Sequence, residues 1–433
     1  MVRKTLLVVG LWAMGVSCGW AQSTKLALLI PNLYGPNGLT VDSEAKLPDG
    51  STHSGHFNSA FQAEFTQFNI ALAGQIAAIP LPSPASGFTY SFDSTLGVFK
   101  RSTESFGPIL AERPETLGRR KFSFGLSYQH FKFDSIEGVP LSDVPAVFTH
   151  DDFQLGGGRS DVVTTLNSID VSVDQTVAFL SYGLGSRLDL SVAVPLVTVN
   201  LSARSAATIQ RIGTTNPAIH FYGPGHGDYG SSTVYAPPAG HASGIGDMVV
   251  RLKGNPLLNE TAGLAIGVDA RLPTGDEMNL LGIGAAGVKP FAVFALSLGR
   301  FSPHANVAYQ YNGKSVLAGN VATGSKEHMP DQFTWAVGAD IAAGKRLTIA
   351  VDFLGTRVVD SPRLVRQTFT AANGETFPQI GFVHQSYNMV NGSAGVKINL
   401  FRQLLLDANV LFKLDSAGLR DKVTPLVGIE YAF

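Results

Sequence analysis

The chain has 433 residues, of which 15% are charged, and a formal net charge of −1. That balance excludes the basic surface a nucleic-acid partner needs, and the charged fraction lies well under the roughly 25% of soluble domains. One cysteine, Cys18, excludes a disulfide framework, a cysteine zinc site and thiol catalysis.

Residues 1–21 read as an export signal. Arg3 and Lys4 form the positive end, Leu6 to Val16 the apolar core, and Gly19-Trp20-Ala21 a small-residue cleavage site. Beyond it no run reaches about 18 apolar residues, so a membrane can be crossed only with strands. Residues 22–120 are an N-terminal segment of mixed character. Within it Phe57, Phe61, Phe65, Phe68, Leu72, Ile76 and Ile79 recur at steps of three and four, which predicts a helix over 57–79 stopped by Pro80, Pro82 and Pro84. Its apolar face (Phe57, Phe61, Phe65, Phe68, Leu72) suits either packing on a neighbour or a plug at the periplasmic mouth of a barrel. A short hairpin over 88–100 and a polar connector to Arg120 follow.

From Lys121 to Phe433 the pattern changes to strict alternation, which means strands with one apolar and one polar face. Twelve runs are countable, most about ten to fifteen residues long, against a mode of about 5–6 in soluble sheets. Connections alternate between long or medium (134–167, 202–244, 273–286, 314–331, 358–387) and short (184–186, 254–260, 299–302, 342–344, 401–402), with a final turn over 416–421. An up-and-down barrel in an outer membrane needs this segregation, with tight periplasmic turns, long outer loops and both termini inside. The expected fold is therefore an all-β transmembrane antiparallel barrel over 121–433, in contact with outer-membrane lipid.

The polar parity should face the lumen. It carries Asp247, Arg251, Asp269, Arg271, Lys289, Asp340, Asp352, Lys397, Asp407, Lys413 and Glu430, with Asp170, Asp174, Arg187, Asp189 and Lys253 assigned alongside them. Acids and bases balance, so a pore built from them should prefer neither ion sign, or they form cross-strand ion pairs that stiffen the wall. Pro195, Pro290 and Pro425 conflict with an edgeless sheet and should mark bulges or strand ends.

Sites of chemistry are weakly represented. Gly313-Lys314-Ser315 lacks the first glycine of a phosphate loop and follows a strand. His241 and Ser243, with Asn255, echo the triad of outer-membrane phospholipase, but the topology separates them by on the order of 30 Å. His220, His226, Asp228 and His241 share one long loop and read as solvated polar residues rather than metal ligands, and Asp151-Asp152 as a turn rather than a calcium site. No cofactor is implied and no enzyme is expected.

The stretch Arg271-Leu272-Pro273-Thr274-Gly275-Asp276, with Asn279-Leu280-Leu281-Gly282, Gly284 and Gly287-Val288-Lys289-Pro290-Phe291, resembles the outer-membrane barrel family named for the meta-cleavage pathway of phenol degradation. The resemblance covers about Lys121 to Phe433. It implies a transporter taking up small hydrophobic or aromatic solutes. The end Tyr431-Ala432-Phe433 resembles the signal read by the outer-membrane assembly machinery. The placement of the N-terminal segment is similar to the hatch of long-chain fatty-acid channels. Alternatives are a structural or surface-interaction barrel with a filled lumen, a general porin, and a lipid-acting barrel enzyme.

Overall fold

The computed structural model describes residues 25–35, 37–46, 50, 57–58, 66–78, 90–93, 98–101, 104–150 and 161–433. The expected signal over 1–21 and the side chains of Phe61 and Phe65 lie outside them. Twelve antiparallel strands close into a barrel. They are β1 (Phe122–Ile136), β2 (Val162–Gly183), β3 (Leu188–Gln210), β4 (Met248–Leu258), β5 (Ala262–Leu272), β6 (Gly287–Leu296), β7 (Phe301–Asn312), β8 (Gln332–Ala342), β9 (Leu347–Thr370), β10 (Thr376–Phe401), β11 (Leu404–Lys413) and β12 (Val423–Ala432). Each pairs with its sequence neighbours, and β12 pairs with β1 to close the ring, with Tyr431 opposite Phe124 and the Phe433 amide on the Phe122 carbonyl.

Alternation puts a continuous apolar surface outside. Phe122, Phe124 and Leu126 of β1, Ile266 and Val268 of β5, Ile349, Val351 and Phe353 of β9, and Val423, Val427 and Ile429 of β12 are all exposed. Water would not tolerate an apolar belt of this extent on a monomer, whereas lipid requires one. The opposite parity is buried, including Ser123, Asp269, Asp340, Lys397 and Glu430.

Four strands outrun the membrane. β2, β3, β9 and β10 are 22, 23, 24 and 26 residues long, where about 9–11 suffice to cross. The expected long loops 202–244 and 358–387 are thus partly sheet. In β3 the apolar side changes with height. Leu188, Leu190, Val192 and Val194 point outward, but past Pro195 the buried residues are Val197, Val199 and Leu201, while Thr198 and Asn200 face outward. This part projects beyond lipid and has the polarity of a soluble sheet, apolar inside and polar outside.

The same inversion corrects the assignment of β2. Ile169, Val171, Val173, Val177 and Phe179 point inward, and Asp170 and Asp174 point outward, to Lys132 at 3.3 Å and to Tyr128 and His130. The apolar parity that lipid selects is instead Leu180 and its even-numbered neighbours. Because a strand alternates every residue, a one-residue error in parity exchanges the two faces completely.

The three prolines sit where pairing is interrupted. Pro195 lies beside the break between the segment 240–245 and β4, both of which pair with β3. Pro290 falls in a gap of the β6–β7 ladder, and Pro425 lies just before the β12–β1 pairing begins.

The N-terminal segment fills the projecting end. Helix α1 (Leu26–Leu29) packs on Gly240, where a Cβ would lie 2.2 Å from a Leu26 methyl. Tyr34 is buried between Asn167 and Ser205, its hydroxyl 2.8 Å and 3.1 Å from their side chains, and burial pushes it up to about 12. Helix α2 (Thr66–Ala78) brings Phe68 and Leu72 into the same core as Leu280, Ile283 and Leu317. Two expectations are corrected here. Phe57 is not helical but forms a two-residue strand with Asn58, paired with Thr149 and His150. The helix lies at the long-loop end rather than the periplasmic mouth, because its apolar partners are on the loops 273–286 and 313–331.

If the belt marks the lipid contact, Val427→Arg should cost about 2–4 kcal/mol in urea unfolding from lipid vesicles. Asp170→Asn, on the projecting sheet, should cost less than about 0.5 kcal/mol.

Candidate functional site

The barrel interior at the short-turn end is occupied by residues 104–118, the stretch expected to be a polar connector. Residues 105–117 are all buried, and their order along the barrel can be followed through their partners. Ser105 donates to Asp340, and the Phe106 amide donates to the Thr348 hydroxyl at 2.9 Å. Ile109 packs with Ala350, Leu411 and Leu426. Glu112 meets Arg251 at 2.5 Å and Lys253 at 3.1 Å. The Leu117 amide donates to Asp189 at 2.9 Å. Gly118 then passes so close to Gly183 that a Cβ on Gly183 would lie 1.8 Å from the Gly118 carbonyl oxygen.

Composition explains why this segment enters the barrel. Phe106, Ile109, Leu110, Ala111 and Leu117 supply apolar surface that needs burial, whereas Glu112 supplies the carboxylate that the wall cations need. Gly107, at φ 79°, and Pro108 and Pro114 keep it from becoming a helix or a strand. It therefore runs as an irregular strap whose backbone groups are met by wall side chains: Lys253 Nζ donates to the carbonyls of Arg113 at 3.0 Å and Glu115 at 2.8 Å.

Of the sixteen residues expected on the inward parity, Asp170 and Asp174 face outward, Arg187 is exposed in the turn before β3 and Asp247 is taken up by a loop; the others point into the interior, in separate groups. Arg251 makes a bidentate pair with Asp269 at 2.6 and 2.8 Å, and Lys289 reaches the same carboxylate at 3.2 Å. Asp340 and Asp352 flank His304, with Asp352 at 2.6 Å from Nε2 and Asp340 at 3.4 Å from Nδ1. Lys413 pairs with Asp134 at 2.9 Å. Glu430 accepts from Ser123 at 3.3 Å. Asp247 is drawn into the loop after β5, where it caps the amides of Gly275 and Ile283 at 3.1 and 2.8 Å. Burial raises its carboxyl above the ordinary range against those two donors. Lys397 and Asp407 lie opposite one another in the β10–β11 register. Arg271 bonds to Asn312 and to the Ala285 carbonyl and makes no ion pair among the described residues.

Between the strap and helix α2 lies a cavity of about 240 Å³. Gln75 of α2 closes it on the long-loop side and Leu110 and Glu112 of the strap on the other; Phe131, Arg251 and Arg271 are among its wall residues. Arg251 also lies 4.9 Å from the centroid of Phe291, a cation–π contact at the same wall. The cavity thus offers aromatic, aliphatic and cationic surface together.

Among the described residues, those considered for catalysis or metal binding are not gathered; Asp151-Asp152 lie outside them. His241 and Ser243 bond to Asn200 and Thr198 on the outer face, whereas Asn255 is at the short-turn end beside Thr116. His220 is buried on Asp161 at 2.7 Å, and His226 is exposed near Glu44. Sequence reasoning missed the strap, Glu112 and His304. The run Pro108-Ile109-Leu110-Ala111, unusually apolar for an exposed connector, was the available signal.

At the projecting end, burial pushes the Asp161 carboxyl up, but the His220 ring and the Gly213 and Ile212 amides more than offset this and hold it below its ordinary 3.8. A depressed carboxylate stabilises the fold above its unfolded-state value, and that contribution disappears as pH falls through the lower folded value. Hydrogen exchange at 211–220 should therefore stay slow at pH 5 and accelerate below about pH 4; Asp161→Asn should exchange fast at both.

Residues 146–415 match the family model described as “Putative MetA-pathway of phenol degradation”. Among curated proteins none matches the chain. Solved structures with a similar outline include an outer membrane channel from Pseudomonas putida F1, at 13% identity and TM-score 0.45, covering 74% of this chain and 98% of that one. The NanC porin aligns at 6% identity and TM-score 0.36, over 71% and 98% of the two chains. The P. putida toluene transporter TodX aligns at 11% identity and TM-score 0.31, over 74% and 92%.

Proposed function

We propose, from the premise that the chain belongs to the family described as “Putative MetA-pathway of phenol degradation”, that it is an outer-membrane channel for passive entry of small aromatic solutes. The observation that carries this reading is the cavity enclosed between helix α2 and the strap, which combines Phe131 and Leu110 with Arg251 and Arg271. Small-molecule sites are concave and mostly apolar, with a few polar groups that orient the ligand, and a cavity of this size suits a molecule near one substituted ring.

Passage in this reading requires two openings, past α2 and past the strap. Both obstructions are held mainly by side-chain contacts rather than by pairing into the barrel sheet, so each can shift while the barrel stays closed. Elements that move are drawn from such weakly integrated parts of a structure. The inward residues then act in part as wall braces and in part as the polar lining of the route.

A second reading has a specific observation behind it. The strap is buried along most of its length, as it would be in a structural barrel whose interior is permanently filled and whose projecting sheet is the working surface. The two differ in transport. Vesicles with a lipopolysaccharide outer leaflet and the reconstituted protein should take up a phenol-sized aromatic faster than a hexose. Ser105→Cys with Asp340→Cys, oxidised to tether the strap, should abolish the uptake, and reduction should restore it. Uptake no faster than in protein-free vesicles would support the filled barrel.

A further inference from the structure

The cavity wall carries more positive charge than its own carboxylates offset. Arg251, Lys289 and Arg271 come from β4, β6 and β5, and among them only Asp269 is an ion-pairing wall acid. Arg271, with 8% of its surface exposed, makes its hydrogen bonds among the described residues to an amide and a carbonyl, and the Asp247 carboxylate acts on it only from beyond ion-pair distance. A buried guanidinium normally faces a carboxylate or phosphate, because neutral acceptors replace only part of its hydration. The carboxylate that completes the set, Glu112, belongs to the strap rather than to the barrel. It contributes one oxygen to Arg251 and the other to Lys253.

The strap also carries a group ill suited to its position. Arg113 is 4% exposed, and its Nε, Nη1 and Nη2 are buried with no hydrogen-bond partner among the described residues. Leaving a buried charged donor set unmet is unfavourable, because the hydration it gave up is not replaced, so the seated strap is opposed at Arg113 and retained at Glu112. A carboxylate arriving from the cavity can take over the Glu112 position at Arg251, and release of the strap would return Arg113 to water. Beside that position are the Phe291 ring and, across the cavity, Phe131, so the favoured anion also has an aromatic face.

We propose that the cavity is a binding site for small aromatic carboxylates, and that Glu112 is a tethered internal competitor that such a ligand displaces to free the strap. This deepens the channel reading and rests on it for the meaning of release, but binding itself can be measured without transport. No covalent step is involved. A competitor lowers apparent affinity by the fraction of time it occupies the site, so removing its charge must tighten ligand binding.

The test is calorimetric titration of the lipid-reconstituted full barrel with benzoate and with its neutral isostere benzamide. The wild type should bind benzoate in preference to benzamide. Glu112→Gln should tighten benzoate by about tenfold and leave benzamide unchanged, and Arg271→Gln should weaken benzoate by about tenfold. Equal binding of the two ligands, or benzoate binding unmoved by Glu112→Gln, would overturn the proposal. Should Glu112→Gln fail to fold, the Arg271→Gln comparison with both ligands decides on its own. Uptake in vesicles separates the two levels. Benzoate binding without uptake supports the anion site and defeats the channel; uptake with no preference for the anion defeats the site and leaves the channel standing.

Discussion

A sheet in hydrocarbon can have no open edge, and every other feature of this molecule follows from that constraint. Closing twelve strands removes the edges, but it also commits one residue in two to an interior from which lipid has excluded no polarity. Ser123, Asp269, Asp340, Lys397 and Glu430 are polar because they are on that side. An interior of this kind must then be hydrated, cross-paired or filled by the chain itself. The protein uses pairing and filling at different heights. Near the short turns a strap threads among charged wall residues; above the lipid, where solvent is outside, the polarity reverses and an apolar core of α1, α2 and the long strands fills the space.

The two fillings are held by different forces. At the projecting end Phe68, Leu72, Tyr34 and their neighbours are retained by burial of apolar area, which is non-directional and hard to switch. The strap buries Phe106 and Ile109 as well, but it adds directed contacts: Ser105 on Asp340, Glu112 on Arg251 and Lys253, and the Leu117 amide on Asp189. Directed polar contacts can be exchanged for equivalent ones at little net cost, provided that the replacement has the same charge and geometry. That difference is why the strap, rather than the apolar cap, is the element a solute in the cavity is placed to move.

The barrel was legible in the sequence, and its interior filling was not. Strict alternation in runs such as Val423–Phe433 and the segregation of short from long connections suffice for twelve closed strands, since period two and loop length are local properties. Parity failed in β2, where Val171 and Val173 carry the alternation of a lipid face yet lie inside the projecting sheet. Alternation reports that two faces differ, but it does not report which solvent each one meets. Phe57 was placed on a helix face by spacing alone, although pairing with residues nearly a hundred positions away makes it a strand. The strap was missed for the opposite reason. Irregular backbone has no period, and what holds residues 104–118 in place, the charge of Arg251 and Lys253 included, lies on distant strands.

The central claim is that residues 104–118 are seated within the barrel in lipid and retained there by Glu112. Its most direct measurement is the rate at which a membrane-impermeant maleimide labels Ala111→Cys in reconstituted protein, with Ser186→Cys in a short turn as the exposed reference. The account predicts that Ala111→Cys labels far more slowly than Ser186→Cys, and that adding Glu112→Gln brings the two rates together. Equal labelling at both positions with Glu112 intact would show that the strap does not occupy the barrel and would contradict the account.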